Sequence, residues 1–308
     1  MTAVATVVAL LVDDIFGEPP EHLHPTVWIG NAISTIEKPA LTLQTTTAQQ
    51  TAGLFLALGL PTAVYLISHS ILDLIPRRVR PPLEVALLST TLSLRGLTTA
   101  AQAVDRELRN GDLVAARACV GTFVGRDTED LSEEEVSRAA IESVAENLSD
   151  GVTAPIFYGA MFGATGALAY KAINTLDSMI GYKQAPYTNL GRASAHLDDL
   201  ANFVPARLTA LTAAIASDKV SASVRSIQRF AHLTSSPNAG CPEAAFAGAL
   251  GIRLGGVNRY KGGIHNGQIL GTGDPPHQKD IDRAVKLMRR TCFLLAGIVL
   301  LASGAQRA

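Results

Sequence analysis

The stretch at residues 51–75 is almost wholly apolar and is closed by Pro76 with Arg77, Arg78 and Arg80. An uninterrupted apolar run of this length matches the ~20 residues that a helix needs to cross a hydrocarbon core. A chain carrying one must bury it in lipid or build a core around it. Arginines cluster at the end of the run, so the positive-inside rule places that end in the cytosol.

Composition supports the lipid alternative: 47% of residues are hydrophobic and 17% are charged, with a mean hydropathy of +0.22. An average soluble domain carries about 25% charged residues. Shorter apolar runs at 83–103 (interrupted by Arg95), 152–170, 203–217 and 291–304 predict further spans, about five in all. Residues 2–12 are apolar but lack both a basic leader and a small-residue cleavage site, so they are expected to be a retained membrane segment. The expected class is therefore an all-α, polytopic helical membrane protein, a single domain over 1–308, set in the inner or plasma membrane. Residues 104–150 are expected to form a water-exposed helical insertion.

A formal net charge of −1 leaves no polyanion footprint and excludes nucleic acid as a natural partner. The three cysteines, Cys119, Cys241 and Cys292, are scattered and form no CxxC pair, so neither a disulfide framework nor a thiolate metal site is expected. GxxxxGK[ST], GxGxxG after a strand, GxSxG and HExxH are all missing, which removes the common nucleotide, hydrolase and zinc-protease signatures.

Polar residues gather elsewhere. Ser132 with Glu135 three residues on makes a capping box, flanked by Leu131 and Val136 in the staple positions, and predicts a helix to about Leu148 that stops at Ser149-Asp150-Gly151. On it Arg138, Glu142 and Glu146 recur every fourth residue, with Asp150 continuing the line and Asn147 to one side. Such a face is ordinarily solvated, and an Arg138–Glu142 pair there contributes under about 1 kcal/mol. Its continuation into an apolar span at Val152 favours a site instead, because carboxylates at a membrane are costly and usually functional.

Lys171, Asn174 and Ser178 share an arc of the next helical stretch, with Asp177 at its edge and Lys183 beyond Gly181. Cations, an amide and a carboxylate at one helix end suit a phosphate and its metal. Further on, Arg192, His196, Asp198, Asp199 and Asn202 precede Pro205. Either Asp198 with Asn202, or Asp199 with Arg192 and His196, can face a site while the other acid meets solvent. These hard oxygens would suit Mg²⁺ better than zinc. Near the N-terminus Asp13, Asp14, Glu18, His22 and His24 read as a structural turn, and Trp28 as an interface anchor. The Gly-, Asn- and Pro-rich stretch 235–263 predicts a loop and a short helix from Pro242 to about Leu254, contributing Asn238, Glu243 and Arg253, with a polar loop over 265–279.

Taken together these segments resemble the CobD/CbiB family of cobalamin biosynthesis, the adenosylcobinamide-phosphate synthases. The matching text runs through Glu142-Ser-Val-Ala-Glu-Asn-Leu-Ser-Asp-Gly151, Ala154 to Tyr158, Lys171 to Lys183, Leu197 to Asn202, Pro205 to Leu208, Ser236 to Gly240 and Pro242 to Gly256. Asp13 to Pro19 and His24 to Gly30 also resemble the family's opening pattern, so the likeness covers nearly the whole chain. Two departures stand out: Glu18 where the family more often has Asp, and Cys241 where it more often has Trp. The second removes a large aromatic surface that could stack on a corrin ring.

The resemblance implies an ATP-dependent amide ligation that joins adenosylcobyric acid to (R)-1-aminopropan-2-ol phosphate or a related aminoalcohol. On that reading Glu142, Glu146, Asp177, Asp198 and Asp199 are the catalytic acids, and Glu146, Asp150 and Asp177 hold Mg²⁺. Lys171, Lys183, Arg207 and Arg253 meet phosphates, and Asn147, Asn174, Asn202, Asn238 and Glu243 complete the substrate and ATP contacts. The active site would face the cytosol, with homo-oligomers or other membrane proteins of the pathway as partners. Three other classes fit parts of the pattern. A prenyl-diphosphate transferase would need more acids at the Asp-rich helix ends, a transporter would need matching half-repeats, and a non-catalytic membrane sensor would not need so many acids, amides and cations together.

Overall fold

The structure, a computed structural model, describes residues 2–260 and 263–305. Thirteen α-helices and one β-hairpin follow one another along these residues. The first seven are α1 (Thr2–Phe16), α2 (Pro25–Leu41), α3 (Thr46–Leu74), α4 (Arg80–Ser89), α5 (Leu94–Arg109), α6 (Leu113–Gly121) and α7 (Glu133–Leu148). Then come α8 (Ala154–Ile180), α9 (Arg192–Ala201), α10 (Phe203–Ala216), α11 (Val220–Phe230), α12 (Gly240–Leu250), strands β1 (Leu254–Tyr260) and β2 (Gly263–Leu270), and α13 (Gln278–Ala305). Two compact units divide them: residues 2–93, 154–202 and 299–305 form the first, and residues 94–153 and 203–298 the second.

In the first unit, α3 and α8 are the long elements. Thr45 caps α3 by accepting from the Ala48 N–H at 3.1 Å, and 29 residues at 1.5 Å rise give it a length of about 43 Å. Its most apolar window is only 22% buried. Leu54, Phe55, Leu58, Leu66, Ile67, Ile71 and Leu74 are all at least half exposed, whereas a core helix of a water-soluble protein would hide them. At its end Asp73 pairs with His69 and Arg80.

Its other side joins the unit's main core, where Leu56 packs with Ile29 and Ile33 of α2, Ala172, Leu176 and Ile180 of α8, and Leu190. α8 breaks at Gly163, whose φ of 72° and ψ of −166° no ordinary residue adopts comfortably. At the α8–α9 connection backbone lies directly on backbone. A Cβ on Gly191 would fall 1.6 Å from the Ile180 carbonyl oxygen, and one on Gly181 would fall 1.9 Å from Asp177 Oδ1.

The second unit is built around α7. The capping box forms as the residues predict: Ser132 Oγ accepts from the Glu135 N–H at 3.2 Å, and the Glu135 carboxylate accepts from the Ser132 N–H at 2.8 Å. Three glutamates in the first turn complement the positive end of the helix dipole. Beyond that turn α7 is mostly buried, with Val136, Ala139, Ala140, Ile141 and Val144 inaccessible to solvent. Within residues 104–150, then, α7 is a core element rather than a water-washed one. Nor does the helix stop at residues 149–151: the chain widens into one π-helical turn at Ser149–Thr153 and continues into α8. α11 and α12 pack so closely that a Cβ on Gly248 would meet Ser226 Cβ at 2.6 Å.

Several expected spans take another form. Residues 83–103 are not one helix, because α4 ends at Ser89 and α5 starts at Leu94. At that break the hydroxyls of Ser89, Thr90 and Thr91 each donate to the carbonyl three residues back, competing with helix continuation. α10 has only 14 residues, half of them buried, and residues 291–304 form the back of the 28-residue α13. Among the described residues two helical stretches are long and apolar enough to cross a membrane, Thr46–Leu74 and Glu133–Ile180.

The fold is nearly all-α, with the hairpin as the exception. α12 ends at Leu250, not near Leu254, because Gly251 takes the left-handed cap conformation at φ 72°. β1 then pairs antiparallel with β2 over part of the expected 265–279 loop, with an irregularity between Gly255 and Val257. Gly255 and Gly256 hold φ values of 76° and 94° there, so glycines that read as loop punctuation serve as a bulge.

Candidate functional site

Each unit carries a polar centre with buried carboxylates. In the first, Asp198 is buried on α9 and accepts from the Asn202 side-chain amide at 3.0 Å. Asn202 is itself buried and receives the Tyr170 hydroxyl on its Oδ1 at 2.8 Å. Tyr170 stacks on Tyr158 with ring centroids 5.0 Å apart, and the Tyr158 hydroxyl donates to the Ala201 carbonyl at 3.0 Å. The other Asp198 oxygen is buried and has no hydrogen-bond donor.

Burial, followed by the nearby charge of Asp177, pushes Asp198 up to about 7; the amides of Asn202 and Asn174 oppose this, and Asp199 adds to it. Asp177 in turn feels the charges of Asp199 and Lys183. The spacing left open which of the two adjacent acids turns inward, and Asp198 with Asn202 is the arrangement adopted. Asn174 also receives Lys171 Nζ at 3.4 Å. Asp177, Asp198, Asp199, Lys171, Asn174, Lys183 and Asn202 thus all belong to this unit, with Lys183 exposed at its edge.

The N-terminal acids and histidines are divided between α1, which carries Asp13 and Asp14, and the segment that leads into α2. His24 caps α2 by accepting from the Thr26 N–H at 3.2 Å, and its other nitrogen lies 3.7 Å from Glu18. Burial lowers the His24 pKa, against the opposing charge of Glu18. The Lys171 charge also reaches His24. Trp28 is 55% exposed, and its Nε1–H donates to the His22 carbonyl at 3.1 Å.

In the second unit, Glu142 is not on a solvated face. Its side chain is 6% exposed and is paired on both oxygens: Oε2 with Arg126 Nη2, and Oε1 with the Gly255 N–H at 2.6 Å. Arg138 Nε lies 3.9 Å from Glu142, and this arginine donates to the carbonyls of Gly255 and Val257 and to Asn258 Oδ1. Arg126 donates to the same Asn258 oxygen at 2.5 Å. Two arginines and a glutamate therefore bind the bulged end of the hairpin to α7. Burial and the charges of Glu142 and Glu146 push Glu243 well above the usual carboxylate range, against the pull of Arg126.

The remaining assignments are scattered over the second unit. Glu146 is exposed, though its charge reaches Glu243. Asn147 donates back to Ser143 of its own helix at 2.9 Å, and Asp150 sits on the π-helical turn. Arg207 donates to Asn238 Oδ1 at 3.1 Å while stacking 3.5 Å over the Phe203 ring. Arg253 is exposed beside a cavity of about 310 Å³ that Glu134, Glu135 and Arg138 also line.

Among the described residues no three His, Cys, Asp or Glu side chains converge tightly enough to cage a metal. Mg²⁺ needs no such cage, because it keeps several waters and takes one or two carboxylates plus substrate phosphates. The first unit's acids fit that sparser role, since buried Asp198 feels the charges of both Asp177 and Asp199. Residues outside the predicted set also matter. Arg126 carries no motif, Tyr158 closes one stretch of the matching text without a role read for it, and Tyr170 stands just before another.

These features define a helical protein with one acid-and-amide centre and one arginine–glutamate centre. The chain belongs to the CobD/CbiB family: the family model described as CobD/Cbib protein matches residues 6–288. It is 41% identical to the cobalamin biosynthesis protein CobD of Brucella suis biovar 1, over 96% of this chain and 95% of that one. It is 40% identical to the CobD of Klebsiella pneumoniae subsp. pneumoniae over 85% of each chain. With the cobalamin biosynthesis protein CbiB of Salmonella typhimurium it shares 38% identity over 94% of this chain and 93% of the relative. No solved structure matches.

Proposed function

We propose that this chain acts in cobalamin biosynthesis as an ATP-dependent amide ligase that joins adenosylcobyric acid to (R)-1-aminopropan-2-ol phosphate or a related aminoalcohol, giving adenosylcobinamide phosphate. The observation that carries the reading is the buried Asp198–Asn202–Tyr170 chain beside Asp177 and Asp199, in a member of a family whose relatives are named for cobalamin biosynthesis.

A free carboxylate is a poor acyl donor. Attack of the substrate carboxylate oxygen on the ATP γ-phosphorus, with ADP leaving, would form an acyl phosphate. The amine nitrogen then attacks the acyl carbon, the C–N bond forms, phosphate departs with the C–O bonding pair, and the ammonium proton passes to a base. Mg²⁺ bound at Asp177 and Asp199 would neutralise charge on the transferring phosphoryl group. Asp198 titrates near neutral pH and has an oxygen free of donors, so it suits the base that takes the ammonium proton. Lys171 and Lys183, on the same unit, would meet phosphate oxygens.

A multi-pass membrane location belongs to this reading and is supported by the exposed apolar side of α3. Three arginines beyond that helix favour a cytosolic end. Protein purified in detergent and given ATP, Mg²⁺, adenosylcobyric acid and aminopropanol phosphate should form adenosylcobinamide phosphate with matching ATP consumption. Folded protein that makes no product would overturn the ligase in favour of a non-catalytic sensor or transporter.

A further inference from the structure

Four cavities of the second unit differ in their charge. One is lined by Asp127, Glu129, Asp130 and Glu135 besides Arg126, a second by Asp218 with Arg283, Lys286 and Arg290, each of which pairs with an acid, and a third by Glu134 and Glu135 with Arg138 and Arg253. The fourth, of about 380 Å³, is lined by Lys219, Arg225 and Arg229 and by no acid. It shares no lining residue with the Glu142 centre. Among the described residues these three cations form no ion pair, although other surface cations such as Arg106, Lys286 and Arg290 do.

The cavity's composition follows from the packing of α11. Ser223 and Ser226 are its buried residues, Ser226 lies against Gly248 of α12, and Arg225 and Arg229 stand on the exposed side one turn apart. Opposite them the wall is almost bare backbone: Gly248, Gly251, Gly271, Thr272 and Gly273. Gly251 and Gly271 have φ values of 72° and 97°, and a Cβ on Gly251 would lie 2.9 Å from Lys219 Nζ. A Cβ on Gly273 would lie 2.0 Å from the Gly251 carbonyl oxygen.

We infer that this cavity is a binding site for a phosphate-bearing anion, with Arg225 and Arg229 as bidentate donors, Lys219 as a point charge and the glycine wall allowing close approach to the main chain. Guanidinium forks match phosphate oxygens in pairs, and glycine-rich turns with left-handed residues form the concave backbone that anions occupy. The volume is in the range of small-ligand sites. The anion is either a soluble phosphate compound or a lipid headgroup.

Pyrophosphate distinguishes these sources. Full-length protein in phosphatidylcholine nanodiscs is titrated with pyrophosphate by calorimetry in divalent-free buffer, which keeps metal-dependent phosphate binding at the acid centre out of the signal. Saturable binding is expected, weakened at least tenfold by Arg225→Gln with Arg229→Gln and equally by Thr272→Glu, which puts a carboxylate into the cavity. If replacing half the lipid by phosphatidylglycerol weakens pyrophosphate binding, a headgroup is the occupant; if it changes nothing, a soluble phosphate is. No saturable binding, or binding that survives both sets of substitutions, overturns the site.

Discussion

Asn202 donates its side-chain amide to Asp198 at 3.0 Å across one helical turn, and neither residue is more than a tenth exposed. The amide can do this only in one orientation, because Tyr170 donates to its Oδ1 from the other side at 2.8 Å. A tyrosine of α8 thereby sets which end of Asn202 faces the acid.

Asn202→Ala should lower stability by about 1.5–3 kcal/mol, the cost of removing a hydrogen bond to a buried charged group. Tyr170→Phe should cost less, about 0.5–1.5 kcal/mol for a neutral bond. Thermal unfolding in mild detergent at pH 8 would show the order. Equal effects would mean that Tyr170 does not act through Asn202.

Asp198 titrates near 3.9 in the unfolded chain and near 7 in the fold. Between these values the folded chain keeps a proton that the unfolded chain has released. Stability from this group therefore falls as pH rises from about 4 to about 7, and levels off above. Asp198→Asn should flatten that slope and be more stable than wild type at pH 8 by a few kcal/mol, since each pH unit between the two titration points is worth about 1.4 kcal/mol. Unfolding midpoints of both proteins, taken from pH 4 to 9 without divalent ions, give the difference curve. Parallel curves would refute the assignment.

Asp177→Asn and Glu146→Gln separate the two units' acids. Each should reduce turnover at least about 100-fold if it holds transition-state charge. Glu146 is exposed and Asp177 stands beside buried Asp198, so a large loss at Asp177 with near-normal turnover for Glu146→Gln would favour a metal in the first unit.

Glu142→Ala should take from Arg126 its carboxylate on α7 and release Gly255. Breaking one partner of a buried pair costs about 3–5 kcal/mol, and amide exchange at Gly255 and Val257 should quicken while exchange in α11 stays unchanged. The Arg126→Ala with Glu142→Ala double variant should lose less than the sum of the singles. Additivity would show that the two side chains are not coupled.

Local signals in the sequence fared better than distant ones. The start of α7 was readable because a capping box is complete within four residues, and α3 because an apolar run of its length has few alternatives. The environment of Glu142 was not. Four-residue spacing puts Arg138, Glu142 and Glu146 on one side of a helix, but cannot say that Gly255 arrives from 113 positions away to cover it. The hairpin stayed hidden because glycines and asparagines mark a bulged strand and a loop alike. Asp177, Asp198 and Asp199 were all named from the sequence, whereas Tyr170, which orients the amide partner of Asp198, was not, since a buried aromatic ordinarily needs no further explanation.

At the α8–α9 connection, a spacing between acids is encoded by atoms that are missing. Gly181 leaves room for the Asp177 carboxylate to fold over the helix end, and Gly191 lets α9 begin in contact with the Ile180 carbonyl. The Gly191 contact is main chain on main chain, and it sets where α9 starts relative to the end of α8. A methyl group at position 191 would collide with that carbonyl and push the start of α9, and with it Asp198, away from the helix end that carries Asp177, with no ionisable group added or removed.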